Sequence, residues 1–241
     1  LAALERWEAR QFGELAAVFD DRQRDGRVRE GHGDLHLGNV ARVDGATLPF
    51  DALEFDPALR WIDVMNDLAF MAMDLHAHGL SPLAHRFVNA SVERSGDVDG
   101  LRVLRYCMVY RALVRARVGA LREAPAAPDY LATAEALSRR GEPLLMITHG
   151  FSGSGKTWMT QALLEATGAL RLRADVERKR LFGLPPLARD ADPALYGRAA
   201  TEATYARLCE LAATVLGAGH PVILDATFLA ARHRRRARDL A

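Results

Sequence analysis

The sequence feature that most constrains the fold is a short glycine-rich segment in the second half of the chain. The segment Gly-Phe-Ser-Gly-Ser-Gly-Lys-Thr at 150–157 follows an apolar run at 144–148 and precedes a helical pattern over 158–166. An apolar run, a glycine-rich turn and a helix in this order are typical of the first strand, loop and helix of a parallel α/β sheet. The segment therefore predicts the fold class of this half of the chain.

The same segment predicts a phosphate-binding site. Its spacing, Gly-x-x-x-x-Gly-Lys-Thr, is that of the P-loop, whose glycines let backbone N–H groups curl around phosphate oxygens. The N-terminus of the following helix adds a partial positive charge. We expect the lysine to reach the β- and γ-phosphates of ATP and the threonine hydroxyl to bind Mg²⁺. The candidate nucleotide-binding residues are Gly150, Ser152, Gly153, Ser154, Gly155, Lys156 and Thr157.

Three polar residues follow two further strands, which the pattern predicts near 170–173 and 221–224. Strand ends in an open α/β sheet border the ligand crevice. Asp175 is a candidate general base for an acceptor hydroxyl, Arg178 a candidate phosphate contact, and Asp225 a candidate Mg²⁺ ligand. The alternatives are a helix-capping aspartate beside a solvated arginine, and a strand-end aspartate that caps a turn.

These motifs give the second half a family resemblance. The segments 150–157, 173–178 and 222–228 resemble the small P-loop kinases related to polynucleotide kinase, and bacterial predicted kinases of an AAA-like group. The resemblance covers about residues 143–241 and implies that Asp175 is the general base and Arg178 a phosphate contact. Because that family continues into further strands and an arginine-bearing lid, we expect the chain to be truncated at its C-terminal end.

A second phosphate-handling motif, His-Gly-Asp-Leu-His-Leu-Gly-Asn, occupies residues 32–39. Asp34 and Asn39 have the spacing of a kinase catalytic loop, in which the aspartate deprotonates the acceptor and the asparagine holds a metal. Asp51 follows a hairpin predicted over 40–50 and fits the second metal-binding aspartate. A polar turn around a buried histidine is the alternative.

This motif resembles the aminoglycoside phosphotransferases and related small-molecule kinases with a protein-kinase-like fold. The matching stretch is about residues 30–75, and helices predicted over 82–94, 101–122 and 130–140 are compatible with that family's C-terminal lobe. The resemblance implies Asp34 as catalytic base, Asn39 and Asp51 as Mg²⁺ ligands, and two carboxylates that brace the loop, Asp63 and Asp67. No glycine-rich loop or strand lysine precedes the motif, so we expect an N-lobe to be missing and the chain to be truncated at this end also.

Together the two halves predict a two-domain α + α/β protein, with a helical kinase-like C-lobe at 1–140 and a parallel-sheet P-loop NTPase domain at 143–241. The net charge of +1, and arginine clusters without interleaved aromatic residues, disfavour nucleic acid as a partner. No apolar run reaches the roughly 18 residues that span a bilayer, which predicts no membrane association. Two distant cysteines, Cys107 and Cys209, favour a reducing cytoplasm.

The function that these features predict is an ATP- and Mg²⁺-dependent phosphotransferase, which moves the γ-phosphate to the hydroxyl of a small-molecule acceptor. The main alternative is a regulatory module that binds or hydrolyses ATP and has no phosphoryl acceptor. Asp175 distinguishes the two, since a switch needs no acceptor base. A polynucleotide 5′-end kinase is a third hypothesis and requires a basic groove beside Asp175. No sequence feature identifies the acceptor or a protein partner.

Overall fold

The computed structural model of the protein describes residues 1–121, 128–186, 188 and 193–240. The described residues form two compact units. The first consists of Leu1–Ala84 and Gly100–Arg140, and the second of His85–Asp99 and Gly141–Ala241. This division differs from the sequence-based one in the segment 85–99, which packs with the second unit. The sequence Ala-Pro-Ala-Ala-Pro at 124–128 predicts a break between two helices, and residues 124–127 of it lie outside the described residues.

Small antiparallel strand pairs and helices build the first unit. In chain order, the elements from the N-terminus are α1 (Ala2–Arg24), β1 (Val28–Glu30), β2 (Val40–Val43), β3 (Ala46–Pro49), β4 (Trp61–Asp63), α2 (Val64–Ala77), α3 (Ser81–Ser95), α4 (Leu101–Leu121) and α5 (Tyr130–Ser138). Of these, α3 belongs to the second unit from His85 onward. Strands β2 and β3 form the predicted hairpin, and its turn residues Asp44 and Gly45 have φ angles of 50° and 82°. Two consecutive positive φ angles match the right-handed twist of hairpin strands.

The core of the first unit lies where α2 packs against α4 and α5. Buried apolar side chains line these contacts, among them Phe70, Met73, Leu101, Leu104 and Val109. The spacing of apolar residues from Trp61 onward predicts a helix, but residues 61–63 form β4, which pairs antiparallel with β1. Helix α2 then begins at Val64, because the carboxylate of Asp63 accepts a hydrogen bond from the backbone N–H of Met65 at 2.8 Å.

The second unit contains the predicted parallel sheet. Its elements after α3 are β5 (Leu145–Ile147), α6 (Lys156–Thr167), β6 (Leu170–Arg173), α7 (Ala174–Leu181), α8 (Arg198–Gly217), β7 (Val222–Asp225) and α9 (Ala231–Leu240). The strand order is β5-β7-β6, with both pairs parallel, and every residue of the central strand β7 is buried. The predicted alternation of strands and helices is confirmed, although helix α7 was not predicted.

The parallel arrangement brings polar residues to one edge of the sheet. Asp225 ends β7 and lies in register with Arg173 at the end of β6, while the glycine-rich loop follows β5. Glu93 in α3 forms an ion pair with Arg173, with 3.2 Å between Oε1 and Nη1.

Within the described ranges, no helix is both long enough and apolar enough to cross a membrane.

Candidate functional site

The glycine-rich loop connects β5 to α6 and has an open backbone. Gly153 and Gly155 have φ angles of 79° and 81°, in the left-handed region that glycine adopts without steric cost. A Cβ built at either position would meet no protein atom within 4 Å. Space therefore lies directly over this backbone, as an anion bound by main-chain N–H groups would require.

Buried hydrogen bonds fasten the entrance of the loop to the turn that follows β7. The hydroxyl of Thr148 donates to the carbonyl of Ala226 at 2.6 Å and accepts from the Ala226 N–H at 3.0 Å. The backbone N–H of Gly150 donates to the carbonyl of Thr227 at 3.1 Å. These bonds fix the position of the loop relative to the central strand.

A threonine and a carboxylate meet where α6 begins and β7 ends. The Thr157 hydroxyl donates to Asp225 Oδ2 at 2.7 Å, and Asp225 is 6% exposed. Hydroxyl and carboxylate oxygens suit Mg²⁺, which is usually held by one or two protein groups together with substrate phosphates. Within the described residues, no group of three or more His, Cys, Asp and Glu side chains is arranged to hold a metal. The pair therefore fits a metal ion whose remaining ligands are phosphate oxygens and water.

A cavity of about 710 Å³ in the second unit brings the candidate residues of this half together. Its walls come from the glycine-rich loop, α7, α8 and the end of β7. The lining residues are Ser152, Gly153, Gly155, Lys156, Thr157, Trp158, Arg173, Ala174, Asp175, Arg178, Tyr196, Thr201, Tyr205, Asp225, Ala226 and Thr227. Gly150 and Ser154 belong to the same loop, and the ammonium of Lys156 contacts the Phe151 carbonyl and, at 3.4 Å, the Ser154 hydroxyl.

Asp175 and Arg178 project from the short helix α7 into the lining of this cavity. Asp175 Oδ2 accepts from the ammonium of Lys179 at 2.6 Å. The Arg178 guanidinium lies over the ring of Tyr196, with 4.8 Å from Cζ to the ring centroid. Its Nε is buried and has no hydrogen-bond partner within the part of the chain that the structure describes. Arg178 therefore has one buried donor that the described residues leave unsatisfied.

Sequence reasoning did not identify Tyr205, which organises the turn after β7. Its hydroxyl lies 3.1 Å from Thr227 Oγ1 and accepts from the Phe228 N–H at 3.0 Å. Its ring stacks on His233, with centroids 3.8 Å apart and an interplanar angle of 8°. Tyr205 stands 22 residues before Thr227, so no local pattern in the sequence announces the contact.

Arg171 was missed for a different reason, because it lies within the strand β6. It donates to the Thr157 carbonyl at 2.9 Å and to Gln161 Oε1 at 3.1 Å. Burial lowers the pKa of its guanidinium. The available signal was the alternation of leucine and arginine in this strand, which includes a buried arginine. Arg171 ties β6 to the first turns of α6.

In the first unit, Asp67 holds the start of the 32–39 loop. Its two carboxylate oxygens accept from the backbone N–H groups of His32 at 2.7 Å and Gly33 at 2.9 Å. Asp67 therefore braces the loop, as the resemblance implied. Asp63 does not: its carboxylate pairs with Arg22 of α1 at 2.6 and 2.9 Å, because the formation of β4 directs it toward that helix. The expectation for Asp63 was wrong.

The structure brings Asp34 and Asn39 into direct contact. The Asn39 amide donates to the Asp34 carbonyl at 3.0 Å and to its carboxylate at 3.1 Å. His36 lies 3.5 Å from the same carboxylate oxygen. The hydrogen bond from His36 is the largest cause that lowers the pKa of Asp34, and partial burial opposes it. Asp34 is thereby held as an anion.

Asp51 is linked to the same loop through its chain neighbours. The Phe50 N–H donates to the Asn39 carbonyl at 3.0 Å, and the Leu53 N–H donates to the His32 carbonyl at 3.0 Å. Asp51 itself has a φ angle of 60°, an uncommon conformation for a residue other than glycine. The residues around Asp51 thus bind the Asp34 loop through the main chain.

Comparisons with known proteins agree with the geometry of the second unit. Residues 145–241 match the family model described as AAA domain. This part of the chain is a P-loop nucleotide-binding domain with a parallel sheet. No solved structure matches the chain.

Most of the chain is similar in sequence to proteins of two mycobacteria. Uncharacterized proteins of Mycobacterium bovis and of Mycobacterium tuberculosis are each 32% identical over 234 residues, which is 93% of this chain and 47% of theirs. The chain thus spans about half the length of these curated relatives. The match extends across both units, which indicates that the two occur together in the relatives.

Proposed function

We propose that the second unit is an ATP- and Mg²⁺-dependent phosphotransferase acting on a hydroxyl of a small-molecule acceptor. The observation that carries the proposal is that one cavity is lined by two sets of residues. One set suits a nucleoside triphosphate with its metal ion, and the other contains a second carboxylate that suits an acceptor hydroxyl. The first set is Lys156, Thr157 and Asp225, and the second is Asp175 with Arg178. The cavity volume of about 710 Å³ is within the range of small-ligand sites.

Each group has a role that its chemistry supports. The loop N–H groups and Lys156 would hold the β- and γ-phosphates, and the helix N-terminus of α6 adds favourable charge. Thr157 and Asp225 would hold Mg²⁺, which neutralises charge on the phosphoryl oxygens when bound. Asp175 would take the proton of the acceptor hydroxyl, and Arg178 would contact the transferring phosphoryl group.

For the first unit we propose a kinase-like C-lobe, with Asp34 as catalytic base and Asn39 and Asp51 as Mg²⁺ ligands. The lowered pKa of Asp34 supports a carboxylate that is ionised at neutral pH. The Asn39 amide within 3.1 Å of that carboxylate supports a shared site.

We also propose a cytoplasmic setting for the protein, which its two free thiols, Cys107 and Cys209, support.

One observation favours the regulatory alternative. Lys179 already occupies one oxygen of Asp175, and an i,i+4 ion pair of this kind also occurs as a purely structural contact on a helix. In that case the second unit would bind or hydrolyse ATP without an acceptor base.

The deciding experiment compares Lys156→Ala and Asp175→Ala in the full chain. Binding of a fluorescent ADP analogue and ATP consumption are measured, the latter with and without a panel of hydroxyl-bearing small molecules. Lys156→Ala should weaken nucleotide binding, whereas Asp175→Ala should keep binding and slow turnover by about 10²- to 10⁴-fold, the usual contribution of a general base. Asp239→Ala, an exposed change on α9, is the matched control. Unchanged turnover in Asp175→Ala would favour the regulatory module.

A further inference from the structure

The chain uses lysine at two positions only. Of its 32 lysine and arginine residues, Lys156 and Lys179 are the two lysines. Lys156 lines the cavity of the second unit, and Lys179 forms an ion pair with Asp175, which lines the same cavity. The other 30 of these 32 residues are arginine, so both lysine side chains of the protein are associated with this one cavity, Lys156 directly and Lys179 through Asp175.

The environment of Lys179 explains why an ammonium suits this position. Its side chain is 11% exposed, whereas that of Asp175 is 45% exposed, so the cation lies beneath a carboxylate that faces the cavity. A guanidinium is planar, larger and presents its donors in a fixed fork, whereas an ammonium is a compact point charge. The 2.6 Å contact joins Lys179 Nζ to Asp175 Oδ2, which leaves the second oxygen, Oδ1, as the acceptor available to a ligand.

We propose that Lys179 is a positioning residue of the phosphotransfer site: it binds Asp175 Oδ2 and so presents Oδ1 to the hydroxyl of the acceptor. The inference rests on the proposed function of the second unit. In the transfer, the acceptor oxygen bonds to the γ-phosphorus and the bond from that phosphorus to the bridging oxygen of ADP breaks. The hydroxyl proton passes to Asp175. Lys179 touches none of the reacting atoms and acts through the orientation of one carboxylate.

The test uses ATP as the probe, with water and the same panel of hydroxyl-bearing small molecules as acceptors, so it needs no identified substrate. Steady-state ATP consumption by the full chain is measured for wild type, Lys179→Met, Lys179→Arg, Asp175→Ala and the double variant Asp175→Ala/Lys179→Met. Lys179→Met keeps the apolar stem and should lower kcat by about 100-fold, the cost of a misplaced catalytic group, while KM for ATP stays within about twofold. Lys179→Arg keeps the charge and should recover part of kcat.

The double variant separates positioning from direct contact. If Lys179 acts through Asp175, Lys179→Met has no further effect once Asp175 is alanine, because coupled groups are not additive. The control is Arg207→Met, which removes one i,i+3 ion pair from α8 outside the cavity lining and should leave kcat unchanged. Thermal melts of each variant report whether the second unit remains folded.

The outcomes distinguish this inference from the proposed function. Slow turnover in Asp175→Ala with normal turnover in Lys179→Met overturns the role of Lys179 and leaves the phosphotransferase intact. A further loss in the double variant also overturns it, because Lys179 would then act on its own. Wild-type turnover in Asp175→Ala, or no ATP consumption by the wild type with water or with any member of the panel, overturns the proposed function and the inference with it.

Discussion

The buried ion pair between α1 and the start of α2 gives the sharpest stability prediction for the first unit. Arg22 bonds Asp63 through Nε at 2.6 Å and Nη2 at 2.9 Å, and their side chains are 2% and 7% exposed. Arg22→Met removes the cation and leaves a buried carboxylate without its charged partner. Breaking such a pair costs about 3–5 kcal/mol, so we expect the free energy of unfolding of the first unit to fall by that amount.

A second variant tests the reason for that loss. In Arg22→Met/Asp63→Asn the buried charge is gone, while an amide oxygen remains to accept from the Met65 N–H at the start of α2. Neutral replacement of a buried ion pair is often nearly neutral for stability. We therefore expect the double variant to lie within about 1–2 kcal/mol of the wild type, well above Arg22→Met alone.

The buried thiol of Cys107 makes the measurement specific to the first unit. Cys107 lies in α4 of the first unit, is 3% exposed, and burial raises the pKa of its thiol to about 12. It should react with iodoacetamide only when the first unit opens, so its labelling reports on the stability of that unit. Labelling of Cys107 against urea concentration, quantified by mass spectrometry, gives a midpoint and slope for the first unit. A loss below about 1 kcal/mol for Arg22→Met, or a double variant no more stable than the single one, would refute the reasoning.

Three further perturbations have expected outcomes. Burial lowers the pKa of His233 below its ordinary 6.5, so the folded second unit favours the neutral ring and loses stability as the pH falls below about 6.5. His233→Phe keeps the stack on Tyr205 and should reduce this acid dependence in thermal melts. Asp67→Ala should speed hydrogen exchange at the His32 amide by about tenfold or more, since a hydrogen bond to a charged group is worth about 1.5–3 kcal/mol. Thr148→Val should cost the second unit about 1–3 kcal/mol in urea unfolding, because buried groups of Ala226 lose their partner.

The nucleotide half was largely predictable because its signals are local. A strand was predicted at 170–173, and β6 has those bounds. The glycine-rich loop requires positive φ angles, and Gly153 and Gly155 have them. Asp225 was predicted at a strand end, and β7 ends there. Each of these features depends on residues within a few positions in the sequence.

What the sequence did not reveal depends on partners distant in the chain. Strands β1 and β4 have three residues each, too few for an alternating pattern, and form only because they pair with each other. The segment 85–99 reads as another helix of the first half, yet its Glu93 contacts Arg173, 80 residues later. Asp63 and Asp67 are four residues apart in the same apolar stretch, so the sequence does not distinguish their partners. Asp63 ends β4 and pairs with Arg22, whereas Asp67 lies in α2 and binds the 32–39 loop.

The candidate metal position shows how a distant pairing can nevertheless be inferred. Thr157 and Asp225 are 68 residues apart, and their contact depends on the neighbouring strands β5 and β7, which pair Ile147 with Leu224. Successive side chains of a strand point to opposite faces, so a slip of one residue would turn Asp225 away and present an apolar neighbour to the loop. The buried bonds of Thr148 to Ala226 lie next to this register and hold it. The hydroxyl and carboxylate therefore meet because the sheet register is fixed beside them.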